Sequence, residues 1–175
     1  MLNNKAKNIT MIGMPSVGKS TLGKKLSKKL HYKFLDTDKV IEKQIGLAIS
    51  EIIDKYGEEK FSKIEKKVIA DISNVKNCVI STGGSAVYSK KSMALLKKSS
   101  VVIFLKVPFK IIEERLSKIG TKRIIRLKGR SLRKLYGERN MLYKKYADIA
   151  VDVSAGEVKN LENIVKKIKH YENNH

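Results

Sequence analysis

The run Gly13-Met14-Pro15-Ser16-Val17-Gly18-Lys19-Ser20-Thr21 constrains this chain more than any other stretch, because two spaced glycines lead directly into Lys and Ser. Glycine lets the backbone curl closely round a polyphosphate and turn its N–H groups inward as donors. Lys19 supplies a cation for the outer phosphates, and the Ser20 hydroxyl suits a Mg²⁺ ion that bridges them. Ile9-Thr10-Met11-Ile12 reads as a strand entering the loop. Thr21 to Leu30 reads as an amphipathic helix leaving it, with Leu22, Leu26 and Leu30 at helical spacing. That helix aims its positive dipole end at the same point. Gly13, Ser16, Val17, Gly18, Lys19, Ser20 and Thr21 are therefore expected to cradle a nucleoside triphosphate, with Lys19 also acting in catalysis and Ser20 at the metal.

A chain of 175 residues with 42% apolar content suits one domain around one core. The longest apolar run, Val101 to Leu105, stops at Lys106, far short of the roughly 20 residues of a membrane helix. The N-terminal residues lack the hydrophobic region of a signal peptide. The lone Cys78 excludes internal disulfides and zinc clusters, and its apolar neighbours mark it as packing. A cytoplasmic location and no membrane partner follow as expectations. The net charge of +21 comes from 38 Lys and Arg against 17 Asp and Glu. These lysines are scattered along helices, and aromatics make up only 6%. No stacking platform or RNA-binding signature accompanies them, so the charge reads as a solvated basic surface that attracts anionic substrates.

Strand and helix patterns alternate from end to end. Short strands are expected at Lys33–Asp36, Val79–Ser81, Val101–Leu105 and Ile149–Asp152. Helices are expected from about Lys39 to Gln44, Ser50 to Tyr56, Glu58 to Ile72 and Ser89 to Lys98. Pro108 should open another in its first turn, ending near Lys118, and Ser131 should cap one reaching Tyr146. A last helix runs from Val158 to His170. Apolar strands separated by such helices predict an α/β three-layer sandwich around a five-stranded parallel sheet. Gly120 to Gly129 is basic and lacks either period, and reads as a lid over about residues 119–130 of a single 1–175 domain.

Three further groups carry chemistry. Asp36-Thr37-Asp38 ends a strand, and ligands in open α/β sheets bind beyond the carboxyl ends of strands. Asp36 suits a Mg²⁺ ion reached through water, and Asp38 suits an acceptor hydroxyl that must be oriented or deprotonated. The competing role is a helix N-cap. Gly83 and Gly84 sit at another strand end, where adjacent glycines expose backbone donors, admit a ligand closely or, on the residues alone, form a bare turn. Arg123 and Arg139 suit planar recognition of carboxylate or phosphate, with plain surface charge as the competing role in so basic a chain.

In order and spacing, these pieces resemble the shikimate kinase family over about Asn8 to Ile168. The resemblance runs through the phosphate loop, Phe34-Leu35-Asp36-Thr37-Asp38, Gly57-Glu58-Glu59-Lys60-Phe61 with Glu65 beyond, Ser81-Thr82-Gly83-Gly84, Glu114-Arg115-Leu116, and Glu138-Arg139-Asn140-Met141-Leu142-Tyr143. It implies a small kinase of nucleoside-monophosphate-kinase-like fold, in which ATP with Mg²⁺ phosphorylates the 3-hydroxyl of shikimate towards chorismate and the aromatic amino acids. It further implies that Asp38, Gly83, Gly84 and Arg139 bind shikimate, Arg139 through the carboxylate. Arg123 would reach the transferred phosphate from the lid and Arg115 would flank the adenine. A monomer without a nucleic-acid partner is expected. The chain departs from the family pattern at Ser62, where an arginine normally shares the shikimate carboxylate, and at Ser85, normally a third glycine. Met141 replaces a proline, and the lid reads Arg123-Ile124-Ile125. Lys66, one turn beyond Ser62, offers charge but no fork. The acceptor side thus carries two of the departures. A kinase for another hydroxy acid or polyol, or a non-catalytic nucleotide-binding paralogue, stands as the alternative.

Overall fold

A computed structural model describes residues 7–121 and 124–174. Five strands, β1 (Asn8–Ile12), β2 (Lys33–Asp36), β3 (Cys78–Ser81), β4 (Ser100–Lys106) and β5 (Ile149–Asp152), form one parallel sheet in the order β2-β3-β1-β4-β5. β1 and β3 are buried throughout and β4 up to its last residue, because helices cover both faces, which is why they read as mainly apolar runs with only a few buried polar residues. β5 alternates buried and exposed residues, as befits an edge. Met11 lies beside Ser81 in the β1–β3 register, and Asp36 lies beside Ser81 in the β2–β3 register. The carboxyl ends of three strands therefore finish side by side.

The helices are α1 (Lys19–Leu30), α2 (Thr37–Ile45), α3 (Ile49–Ile72), α4 (Lys90–Ser99), α5 (Phe109–Ile119), α6 (Leu132–Tyr146) and α7 (Glu157–Asn173). α1 packs on α7, and α3 packs on α4. α3 combines the two expected helices, broken at Gly57, whose φ of 79° and ψ of 163° are not helical. Only glycine reaches that backbone conformation cheaply. Ser131 caps α6 as expected, its side chain accepting from the Lys134 N–H. Pro108 differs from expectation by one place. It precedes α5 as the cap residue with extended ψ, and Phe109 opens the helix. A 3-10 turn at Ala86–Tyr88 carries no sequence period to announce it.

Two cores result. The main one surrounds the sheet and takes in Cys78. A smaller one joins Ile41, Ile49, Ile52, Phe61 and Val68 of α2 and α3 with Ile125. Past Ile119, which ends α5, the expected lid contains no regular element among its described residues, yet it is better packed than its composition suggests. Ile124 is buried in the main core and Ile125 in the smaller one, so the segment straddles the two. Arg123 and Lys122 lie outside the described residues.

Gly13 is where the sheet and the phosphate loop leave no room. Its φ is 150°, and a Cβ there would stand 2.6 Å from the Leu105 carbonyl oxygen on β4. Backbone cannot swing aside as a side chain can. Gly13→Ala should therefore destabilise the fold by about 2–3 kcal/mol in urea unfolding, near the range for overpacking.

Candidate active site

The loop between β1 and α1 begins from strain that its glycines absorb. Gly18 has φ 104°, whereas Ser16 holds φ 64° with a side chain attached, which costs about 1 kcal/mol. The Lys19 ammonium is buried and donates to the carbonyls of Gly13 (2.9 Å) and Met14 (2.8 Å), which pins it across the loop. The Arg115 guanidinium of α5 donates to the Ser16 carbonyl at 3.0 Å. Val17 turns its side chain into the main core, and its N–H donates to the Met14 carbonyl at 3.3 Å.

Asp36 serves two neighbours at once. One carboxylate oxygen accepts from the N–H groups of Asp38 (3.1 Å) and Lys39 (3.3 Å), capping α2. The other accepts from the Ser20 hydroxyl, whose oxygen also lies 3.4 Å from the Ser81 hydroxyl. The N-cap role and the metal-site position thus coexist on one side chain. One carboxylate and one hydroxyl beside a phosphate loop suit a Mg²⁺ ion, which keeps several waters and binds through few protein ligands. Among the described residues, no group of three or more His, Cys, Asp and Glu could form a metal cage.

The loop after β3 is fastened from three sides. Thr37, buried between the two aspartates, accepts the Gly83 N–H at 3.0 Å. The Tyr143 phenol on α6 donates to the Gly84 carbonyl at 2.8 Å, and burial pushes that phenol's pKa up. The Thr82 hydroxyl donates to the Met11 carbonyl at 3.2 Å. A side chain at Gly83 would collide with a Glu65 oxygen (2.5 Å) and an Asp38 oxygen (2.8 Å), and one at Gly84 would collide with an Arg139 nitrogen (2.9 Å). These two positions need glycine because charged groups converge on them.

Arg139 is only 1% exposed. It donates to the Ile125 carbonyl at 2.7 Å, while its Nε finds no partner among the described residues. Glu65, equally buried, has its carboxyl pKa raised to about 7, first by burial and then by Asp38. The Ser85 hydroxyl, Arg139 and Lys66 oppose that rise. These groups surround a cavity of about 310 Å³ lined by Ser16, Gly18, Lys19, Ser20, Thr21, Asp36, Asp38, Gly83, Gly84, Ser85 and Arg139, among others. Most of the sequence-derived candidates thus meet in one cleft. Gly13, Val17 and Arg115 do not line it, and Arg123 lies outside the described residues.

Comparison with known proteins decides the family. A sequence profile described as shikimate kinase matches residues 15–170. The chain belongs to the shikimate kinase family. It is 37% identical to a shikimate kinase of Caldanaerobacter subterraneus subsp. tengcongensis, over 93% of this chain and 94% of that protein. It is 39% identical to one of Francisella tularensis subsp. novicida, over 91% of this chain and 92% of that one. The shikimate kinase of Acinetobacter baumannii in complex with shikimate superimposes with a TM-score of 0.82. The identity there is 28%, covering 94% of this chain and 93% of that one. The chain is accordingly a phosphotransferase of the family's ATP-dependent kind.

Residue reading gave no role to two contributors to this shikimate kinase site, and it marked Ser85 as a departure without foreseeing its partner Glu65. Thr37 was hidden between more eloquent aspartates. Tyr143 was detectable, since it lies one turn from Arg139 and residues four apart share a helix face. No helix among the described residues is long and apolar enough to cross a membrane.

The double duty of Asp36 separates its roles by substitution. Asp36→Ala should cost about 1 kcal/mol in thermal or urea unfolding, the usual value of a lost cap. Asp36→Asn keeps a capping oxygen and should fall within about 0.5 kcal/mol of the parent.

Proposed function

We propose that this shikimate kinase family member transfers the terminal phosphoryl group of ATP to the 3-hydroxyl of shikimate. The observation that carries this reading is Arg139, a buried guanidinium with an unpartnered Nε, lining the same cavity as Lys19 and Asp38. A buried cation of this kind is matched by an anionic acceptor group such as a carboxylate. The acceptor carboxylate would then lie at Arg139 and the donor phosphates at Lys19, within the one cavity that both residues line.

In this reading Gly18, Lys19, Ser20 and Thr21 hold the phosphates at the head of α1, where N–H groups and the helix dipole favour anions. Lys19 stabilises charge on the oxygens of the transferred group. Ser20 and Asp36 hold Mg²⁺, which when bound supplies charge neutralisation on the phosphate oxygens. Asp38 accepts the hydroxyl proton or orients the hydroxyl for in-line attack. Gly83 and Gly84 bring backbone against the acceptor, Arg123 reaches the transferred group from the lid, and Arg115 flanks the adenine from its place beside Ser16. Closure of the lid excludes water, so that ATP is spent on the acceptor. We place the enzyme in the cytoplasm as a monomer.

Ser62 favours a second reading, a different hydroxy acid or polyol as acceptor. It does not line the cavity, and Lys66 is exposed rather than turned into it. A coupled assay of ADP release with ATP and Mg²⁺, with and without shikimate and then across hydroxylated acceptors, decides between the two. Turnover that requires shikimate supports the first reading; preference for another acceptor sinks it.

Three variants test the assigned roles. Lys19→Met should lower kcat by about three orders of magnitude in a folded protein, in the range for losing an electrostatic stabiliser. Asp38→Asn should lower kcat on the order of 100-fold with KM for ATP little changed. Arg139→Ala should raise KM for shikimate on the order of 100-fold and leave KM for ATP near the parent value. Equal damage to both substrates' KM would remove Arg139 from carboxylate recognition.

A further inference from the structure

Ser85 and Glu65 form a unit that the reaction as described does not use. Ser85 lines the cavity, adjoining Gly84, against which Arg139 packs. Its hydroxyl lies 3.0 Å from each carboxylate oxygen of Glu65. Glu65 is 3% exposed and sits behind the cavity wall, on the second half of α3. The charged and titratable groups acting on it are Asp38 from α2, Arg139 and Tyr143 from α6, and Lys66 from its own helix. None of these forms an ion pair with it among the described residues.

A serine hydroxyl has one proton to give. While Glu65 is a carboxylate, that proton goes to Glu65, and Ser85 shows only lone pairs to the cavity. An acceptor carboxylate is then opposed by the Ser85 oxygen and by the negative charge behind it. Once Glu65 takes up a proton, its O–H donates to Ser85, and the Ser85 proton turns to the cavity beside Arg139. The same side chain then supplies a second donor to a carboxylate.

We propose that Ser85 is a specificity-determining residue for the acceptor carboxylate and that Glu65 is its positioning residue, setting by its own protonation whether Ser85 donates to the acceptor or away from it. The proposal rests on the shikimate reading above. It gives the acceptor end a neutral donor in a chain whose Ser62 supplies no guanidinium. Burial and the Asp38 charge raise the Glu65 pKa to about 7 from a reference of 4.5. The proton is therefore held below about 7 and lost above it, so recognition weakens as pH rises through neutrality. An acceptor carboxylate stays ionised over that whole interval.

Steady-state kinetics at saturating ATP, from about pH 6 to about pH 8, test this with shikimate as the varied substrate. KM for shikimate should rise about fivefold to tenfold across the interval, in keeping with one hydrogen bond to a charged group that is only partly titrated. kcat should change less than KM, because Ser85 touches the carboxylate end rather than the reacting hydroxyl. Ser85→Gly removes the donor, so its KM should be high and flat with pH. Glu65→Gln presents a permanent amide donor to Ser85, so its KM should be low and flat. KM for ATP, followed in parallel, checks that each variant is folded. A slope in Ser85→Gly equal to the parent's would overturn the proposal, as would a flat KM in the parent. Should Glu65→Gln fail to fold, the Ser85→Gly comparison still decides. Shikimate-dependent turnover with a pH-independent KM refutes this inference alone, whereas no turnover with shikimate at any pH refutes the proposed function and this inference with it.

Discussion

The parallel pairing of β3 between β1 and β2 is the constraint on which the site depends. In chain order β2 follows β1, but in the sheet β3 separates them. The loop after each strand must then leave at the same edge, because parallel strands end on one side. The phosphate loop, the Asp36–Asp38 turn and the double glycine consequently become neighbours, with Ser81 in register with both Met11 and Asp36. The side chains then lock what the backbone has aligned. Ser20 reaches Asp36 from one strand end to another, and Thr37 holds the Gly83 N–H across the next gap.

Charge is distributed in two ways that do opposite work. The surface is strongly cationic, with a net charge of +21 carried largely by exposed lysines. Such a field raises the encounter rate of anionic ligands and fades with salt. In the cleft and just behind its wall, by contrast, a few groups are buried at high cost. Arg139 and Glu65 are both nearly inaccessible, and neither has an ion-pair partner among the described residues. Their desolvation is offset locally, by the Ile125 carbonyl for one and the Ser85 hydroxyl for the other. Buried groups left partly satisfied are the usual signature of a binding site, since a ligand completes them.

The segment over the cleft is held to the body by contacts from several elements. Arg139 binds the Ile125 carbonyl, both oxygens of Glu58 accept the Arg126 N–H, and the Arg126 guanidinium stacks on the Tyr88 ring at 4.0 Å. The Glu58 contact comes from just beyond the Gly57 break in α3, and the Tyr88 contact from the 3-10 turn after the double glycine. Arg139, the proposed carboxylate anchor, therefore also touches the segment beside the cleft.

Much of this was legible in the residues themselves, because local chemistry dictated it. The phosphate loop needs glycine where backbone must approach phosphate, the buried strands need mainly apolar runs, and Ser131 can cap only the helix it precedes. The cleft's principal side chains, Lys19, Ser20, Asp36, Asp38 and Arg139, were named from those local signals and from a family likeness. What the residues alone did not disclose depends on distant partners. The burial of Ile124 and Ile125 in two different cores follows from how α2 and α3 pack beside the sheet, not from any period in their own segment. Nor does a glutamate on a lysine-rich helix announce that it will be enclosed. Glu65 acquires its raised pKa and Ser85 its partner only when β3 delivers the glycine loop against α3. Sequence by itself determined which chemistry the chain carries, since that resides in residue type and short spacing. The tertiary structure alone decided which groups lose water and which face each other, since desolvation and long-range contact exist only once the sheet has closed.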